Sequence, residues 1–133
     1  MGHPLRVAPV LRKYPSLRLY LENAGWPFLD EITGLMYQYP TVYVDVSTNL
    51  HIFDKRTMLM YLEQLMLRGL GKRIMFGSDQ MWWPEVIGEC IEVIQEADFL
   101  TREQKADIFY NNAARFLRLS EEQIAAHHRV TSE

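Results

Sequence analysis

The sequence predicts an α/β fold of parallel strands joined by helical crossovers, and three observations carry that expectation. Short apolar runs at residues 17–22, 41–46 and 73–76 have the length and punctuation of strands. Longer stretches between them place apolar residues at helical spacing. The connections are short, with no linker, internal repeat or low-complexity tract, which favours right-handed βαβ crossovers over antiparallel hairpins.

Each element has its own signal. Pro4 opens a helix over 5–14 that Pro15 stops. Residues 17–22 alternate apolar and polar before the turn Asn23-Ala24-Gly25, and Pro27 starts a helix that Pro40 closes after Tyr39. The β-branched and aromatic run 41–46 is the second strand, followed by a loop over 47–53. Asp54 caps a helix over 55–68, ended by Gly69-Leu70-Gly71. The third strand, 73–76, stops on Gly77-Ser78-Asp79, and Pro84 opens a helix to about Glu96. Thr101 and Gln104 have capping-box spacing for a helix reaching Asn112, and two helical pieces, 113–119 and 120–128, finish the chain.

Composition narrows the function classes. The 133 residues are 48% hydrophobic and 23% charged, enough for one domain, 1–133, with its own core. No apolar run approaches the roughly 20 residues that span a bilayer, and residues 1–6 lack the apolar region of a signal peptide, so a cytoplasmic chain with no membrane partner is expected. A net charge of −3 without a basic cluster argues against nucleic acid. The single cysteine, Cys90, excludes an internal disulfide and a Cys-rich zinc site, and its amphipathic setting reads as buried filler.

Three strands cannot close a barrel, and they are too few for the common doubly wound folds. Further strands from elsewhere are therefore expected. Asp79 is the first candidate functional residue, because the carboxyl ends of parallel strands open toward loops and solvent.

Four linked motifs extend this reading: Tyr14-Pro15-Ser16-Leu17-Arg18 with Asn23-Ala24-Gly25-Trp26-Pro27, Tyr43-Val44-Asp45-Val46-Ser47, residues 73–79, and Asn111-Asn112-Ala113-Ala114-Arg115-Phe116. In this order and spacing the chain resembles the carboxyl-terminal half of the amidohydrolase-related metal-dependent hydrolases, in the branch that includes aminocarboxymuconate-semialdehyde decarboxylase. The resemblance runs from about Pro4 to Leu119.

It implies a partial (β/α)8 TIM-type barrel, made of the last three β/α units plus carboxyl-terminal helices. It also implies a divalent metal, usually zinc, at the strand ends. Asp79 matches the family's eighth-strand metal-contacting Asp, and a carboxylate there can accept a proton from metal-bound water. The family's first-strand His-x-His pair and fifth-strand His have no counterpart in these residues. Asn23 stands where the family usually has an acid/base His, and it cannot titrate near neutrality. The expectation is a truncated hydrolase or decarboxylase of small carboxylic acids, inactive as a lone chain and holding metal weakly or not at all. The alternative is a non-catalytic half-barrel that pairs with itself or with a separate amino-terminal half.

The remaining candidates carry plainer readings beside the functional ones. Asn23 is either a substrate hydrogen-bonding group or a turn cap. Trp82, Trp26 and His51 are candidate substrate-binding residues; Trp82 and Trp83 either wall a pocket, Trp82 before Trp83, or pack under the following helix as core, and a lone loop histidine is more often solvated. Asp45 reads as a hydrogen-bonded structural carboxylate. Asn111 and Asn112 read as a helix junction with Arg115 pairing a nearby acid, and His127-His128 as surface residues, since helix neighbours point about 100° apart.

Overall fold

A computed structural model describes residues 2–47 and 54–130. Three parallel strands, β1 (Leu19–Leu21), β2 (Val42–Asp45) and β3 (Ile74–Met75), form one sheet in the order β1-β2-β3. Leu19 faces Val42 in the ladder, and Val44 faces Ile74. The helices are α1 (Ala8–Lys13), α2 (Leu29–Gln38), α3 (Lys55–Leu67), α4 (Val86–Gln95), α5 (Arg102–Ala106), α6 (Asn112–Leu117) and α7 (Glu121–Val130).

The parallel order expected from the alternation of elements is present, while the strands are shorter than the apolar runs. Residues 17–18 lie before the point where β1 meets β2, and a 3-10 turn, Gly71–Arg73, takes the start of the third run. Alternation divides the sheet faces. Val42, Val44, Val46 and Ile74 join Ile32, Leu35, Leu62, Leu65 and Ile94 in a buried apolar core. Tyr20, Tyr43, Asp45 and Met75 are the intervening residues, and Phe116 lies against the rings of Tyr20 and Tyr43 at centroid distances of 6.1 and 5.2 Å.

Capping signals behave as their chemistry requires. Asp54 accepts from the Thr57 amide at 3.0 Å, and Thr101 and Gln104 complete a reciprocal capping box. Ser120 and Gln123 form a similar pair ahead of α7. Of the three prolines expected to open helices, Pro4 starts a 3-10 turn, Pro4–Val7, that leads into α1, while Pro27 and Pro84 stand just outside α2 and α4, which begin at Leu29 and Val86. The helix expected over 101–112 is interrupted by a π-helical turn, Asp107–Asn111, whose Ile108 carbonyl accepts from Phe76 N at 2.8 Å. Cys90 is fully buried, and burial pushes its thiol up.

Asn112 reaches out of its helix toward the sheet. Its side-chain amide donates to the carbonyls of Gly71 and Ile74 at 2.8 and 2.5 Å, so it ties α6 to the start of β3 rather than serving only the helix junction. The acid that Arg115 finds is Asp107, at 3.0 Å, and Lys72 reaches the same carboxylate at 2.5 Å.

Candidate active face at the strand ends

The carboxyl ends of the three strands converge on one buried carboxylate. Asp45, at the end of β2, is 3% exposed. Its Oδ1 accepts from Asn23 N at 2.8 Å, Ser47 N at 3.0 Å and Ser47 Oγ at 2.7 Å, and its Oδ2 accepts from the Tyr20 hydroxyl. Several donors to one buried carboxylate offset the desolvation of its charge. Burial and the hydrogen bond to Asp45 push the Tyr20 phenol well above its ordinary range.

The turn after β1 is held open by unusual backbone. Asn23, Ala24 and Gly25 have φ values of 60°, 48° and 71°. Ala in the left-handed region is strained, and such strain persists only where neighbours over-determine it. Here the Asn23 amide is fixed by Asp45, and the Ala24 carbonyl accepts from the Tyr61 hydroxyl at 2.9 Å. A Cβ at Gly25 would lie 2.9 Å from Ile32 Cβ, so α2 packs directly on the turn.

β3 closes the cluster from the other side. A Cβ at Gly77 would meet Ser47 Cβ at 2.9 Å and Asp45 Oδ2 at 3.1 Å, so only glycine lets the two chains approach this closely. Two residues on, Asp79 is exposed and has a left-handed backbone, with φ 53°. Asn23 is half-buried, and its carboxamide lies 3.2 Å from Ser47 Oγ.

Asn23 is thus brought to Asp45 through Ser47, and Asp79 follows the glycine that touches both. Trp82 and Trp83, 77% and 58% exposed, project from the loop after Asp79. Trp26 lies edge-on to Tyr61 at 4.9 Å, beside α3. His51 falls outside the described residues. Ser47 and Tyr20 were not singled out in the sequence. The signal was present in the period of two that puts Asp45 and Ser47 on one face of a strand, but the Tyr20 contact depends on register.

Two cavities differ in their relation to this cluster. One of about 230 Å³ on the Tyr20 face is lined by Tyr20, Met75, Phe76, Ala113, Phe116 and Leu117. A larger one, about 490 Å³, is lined by α3 residues and the turn 96–99, with no strand-end residue. Among the described residues, no three His, Cys, Asp or Glu side chains converge as metal ligands. Asp79 alone does not match the four-ligand shell of zinc, so the described residues do not by themselves fit the metal that the resemblance implies.

Comparison with known proteins gives the family and the fold. The amidohydrolase family profile matches residues 1–119, and the chain belongs to that family. The fold resembles an uncharacterised TIM-barrel protein from Bordetella bronchiseptica at 20% identity and TM-score 0.66, over 86% of this chain and 39% of that one. An amidohydrolase from Burkholderia multivorans with bound zinc matches at 20% identity and TM-score 0.67, over 86% of this chain and 48% of the other. 5-Carboxyvanillate decarboxylase from Sphingomonas paucimobilis matches at 18% identity and TM-score 0.58, over 87% and 38%. The chain therefore spans less than half of each of these barrels, and its three-stranded sheet is part of a TIM barrel. No curated protein matches it by sequence.

Proposed function

We propose that these residues form the Asp79-bearing part of the active face of an amidohydrolase barrel, in the decarboxylase-like branch, and that the 133-residue chain alone is catalytically incomplete. The observation that carries this is the family match over residues 1–119 together with Asp79 standing exposed just beyond β3. A carboxylate there can accept a proton or contact a divalent cation, the roles that the family resemblance gives it. Asn23 can hydrogen-bond a substrate oxygen but cannot move a proton near neutral pH. Small carboxylic acids are the substrate class, hydrolysed or decarboxylated in the whole barrel, and the cytoplasm is the proposed location.

A second reading has its own support. Among the described residues no strand pairs with the outer edge of β1 or of β3, and open edges invite pairing. In this reading the chain pairs with a second copy or with a separate amino-terminal half.

Zinc content and turnover test the leading proposal. The purified chain and Asp79→Asn, equilibrated with zinc and dialysed, should both retain well under one zinc per chain and leave hydroxylated benzoates unchanged. Supplied with a polypeptide carrying the His-x-His strand and the fifth-strand His, the native chain should gain activity, and Asp79→Asn should lower it by about 10²-fold or more. Stoichiometric zinc with turnover by the chain alone would overturn the incompleteness. Equal activity of the two supplemented forms would remove Asp79 from the site.

A further inference from the structure

The Ser47 hydroxyl has one proton and two oxygen neighbours, Asp45 Oδ1 at 2.7 Å and the Asn23 carboxamide oxygen at 3.2 Å. It cannot donate to both. The carboxylate is closer and charged, and charge-assisted hydrogen bonds are roughly twice as strong as neutral ones. The proton therefore belongs to the Asp45 side, leaving the lone pairs of Ser47 Oγ toward residue 23. A carboxamide has the same shape with its oxygen and nitrogen exchanged, so the contact becomes favourable when the Asn23 NH2 faces Ser47 and donates.

We infer that Asp45 and Ser47 are positioning residues for side chain 23: the carboxylate holds the hydroxyl, the hydroxyl accepts from residue 23, and the pair selects a hydrogen-bond donor there. The inference rests on reading the strand ends as the family's reacting face, but its test does not require turnover. The geometry leaves the relay little freedom. The Asn23 backbone amide is pinned to the same Asp45 oxygen at 2.8 Å, Tyr20 donates to the other oxygen, and the backbone at Gly77, just beyond β3, is packed against both Asp45 and Ser47. Side chain 23 therefore starts from a fixed backbone and meets a fixed acceptor.

Selectivity follows from the proton count. Asn donates through its NH2. An imidazole donates through its first ring nitrogen, which lies as far from the backbone as the end atoms of the carboxamide. A carboxylate has no proton to give at neutral pH and would add a second negative charge beside Asp45. Position 23 should thus accept His and resist Asp.

The test is an NMR titration of the imidazole introduced by Asn23→His in the full chain. The titratable groups that meet this turn are Asp45, bound to the Asn23 backbone, Tyr20, which donates to Asp45, Tyr61, which donates to the Ala24 carbonyl, and Glu22, next in the chain. Coupling through Ser47 should raise the midpoint above the ~6.5 of a free imidazole. Adding Ser47→Ala, which removes the bridge and no charge, should lower it again by about one pH unit. Equal midpoints with and without Ser47→Ala would overturn the inference while leaving the family assignment intact. If Asn23→His does not fold, the native chain serves: its Asn23 side-chain NH2 protons should exchange slowly and lose that protection in Ser47→Ala. Unchanged exchange would equally overturn the relay.

Discussion

Asp107 shows how one buried charge organises its neighbours. Burial pushes its carboxyl up, but hydrogen bonds from Lys72, Arg115 and Asn111 outweigh this and hold it below the usual carboxylate range. A folded-state pKa below the unfolded ~3.9 means stabilisation that is present above that pH and lost as the pH falls through the folded value. Asp107→Asn should cost about 1–3 kcal/mol at pH 7, the lower part being apt because Lys72 and Arg115 are partly solvated. Urea unfolding should also show a flatter acid limb below about pH 4 in the variant. An unchanged acid limb would remove Asp107 from that role. At this scale the sequence was half legible. Asp45 was readable as a hydrogen-bonded carboxylate and Arg115 as the partner of an acid. That the acid is Asp107, and that Tyr20, Asn23 and Ser47 meet at Asp45, depends on strand register and helix placement, which local patterns do not encode.

Among the elements, the close approach of β2 and β3 beyond their paired residues sets the shape of the candidate face. Gly77→Ala would put a methyl 2.9 Å from Ser47 Cβ, and neither backbone can yield without moving Asp45. A loss of about 1–3 kcal/mol is expected, with weakened exchange protection at Ser47 N. Wild-type stability and protection would contradict the packing described. Helix starts were legible where a side chain caps them, as at Asp54 and Thr101, because capping is local chemistry. The π-turn was not legible. It arises where Ile108 turns its carbonyl to Phe76 N and Asn112 reaches Gly71 and Ile74, and these are tertiary demands on a segment that reads as plain helix.

For the whole molecule, the parallel order and the family were both legible, the first from the alternation of elements and the second from four motifs in sequence. What completes the barrel was not, since the chain spans 48% or less of the three barrels compared above. The face of Tyr20, Tyr43 and Met75 is partly covered by Phe116, and the outer edges of β1 and β3 lack a strand neighbour among the described residues. Such edges should drive association in solution. The most direct measurement is zinc content across a size-exclusion peak whose mass is fixed by light scattering. Catalytic incompleteness requires well under one zinc per chain in whatever species elutes, and the open edges add the expectation that this species is associated. A monomer carrying one zinc per chain, lost in Asp79→Asn, would contradict it.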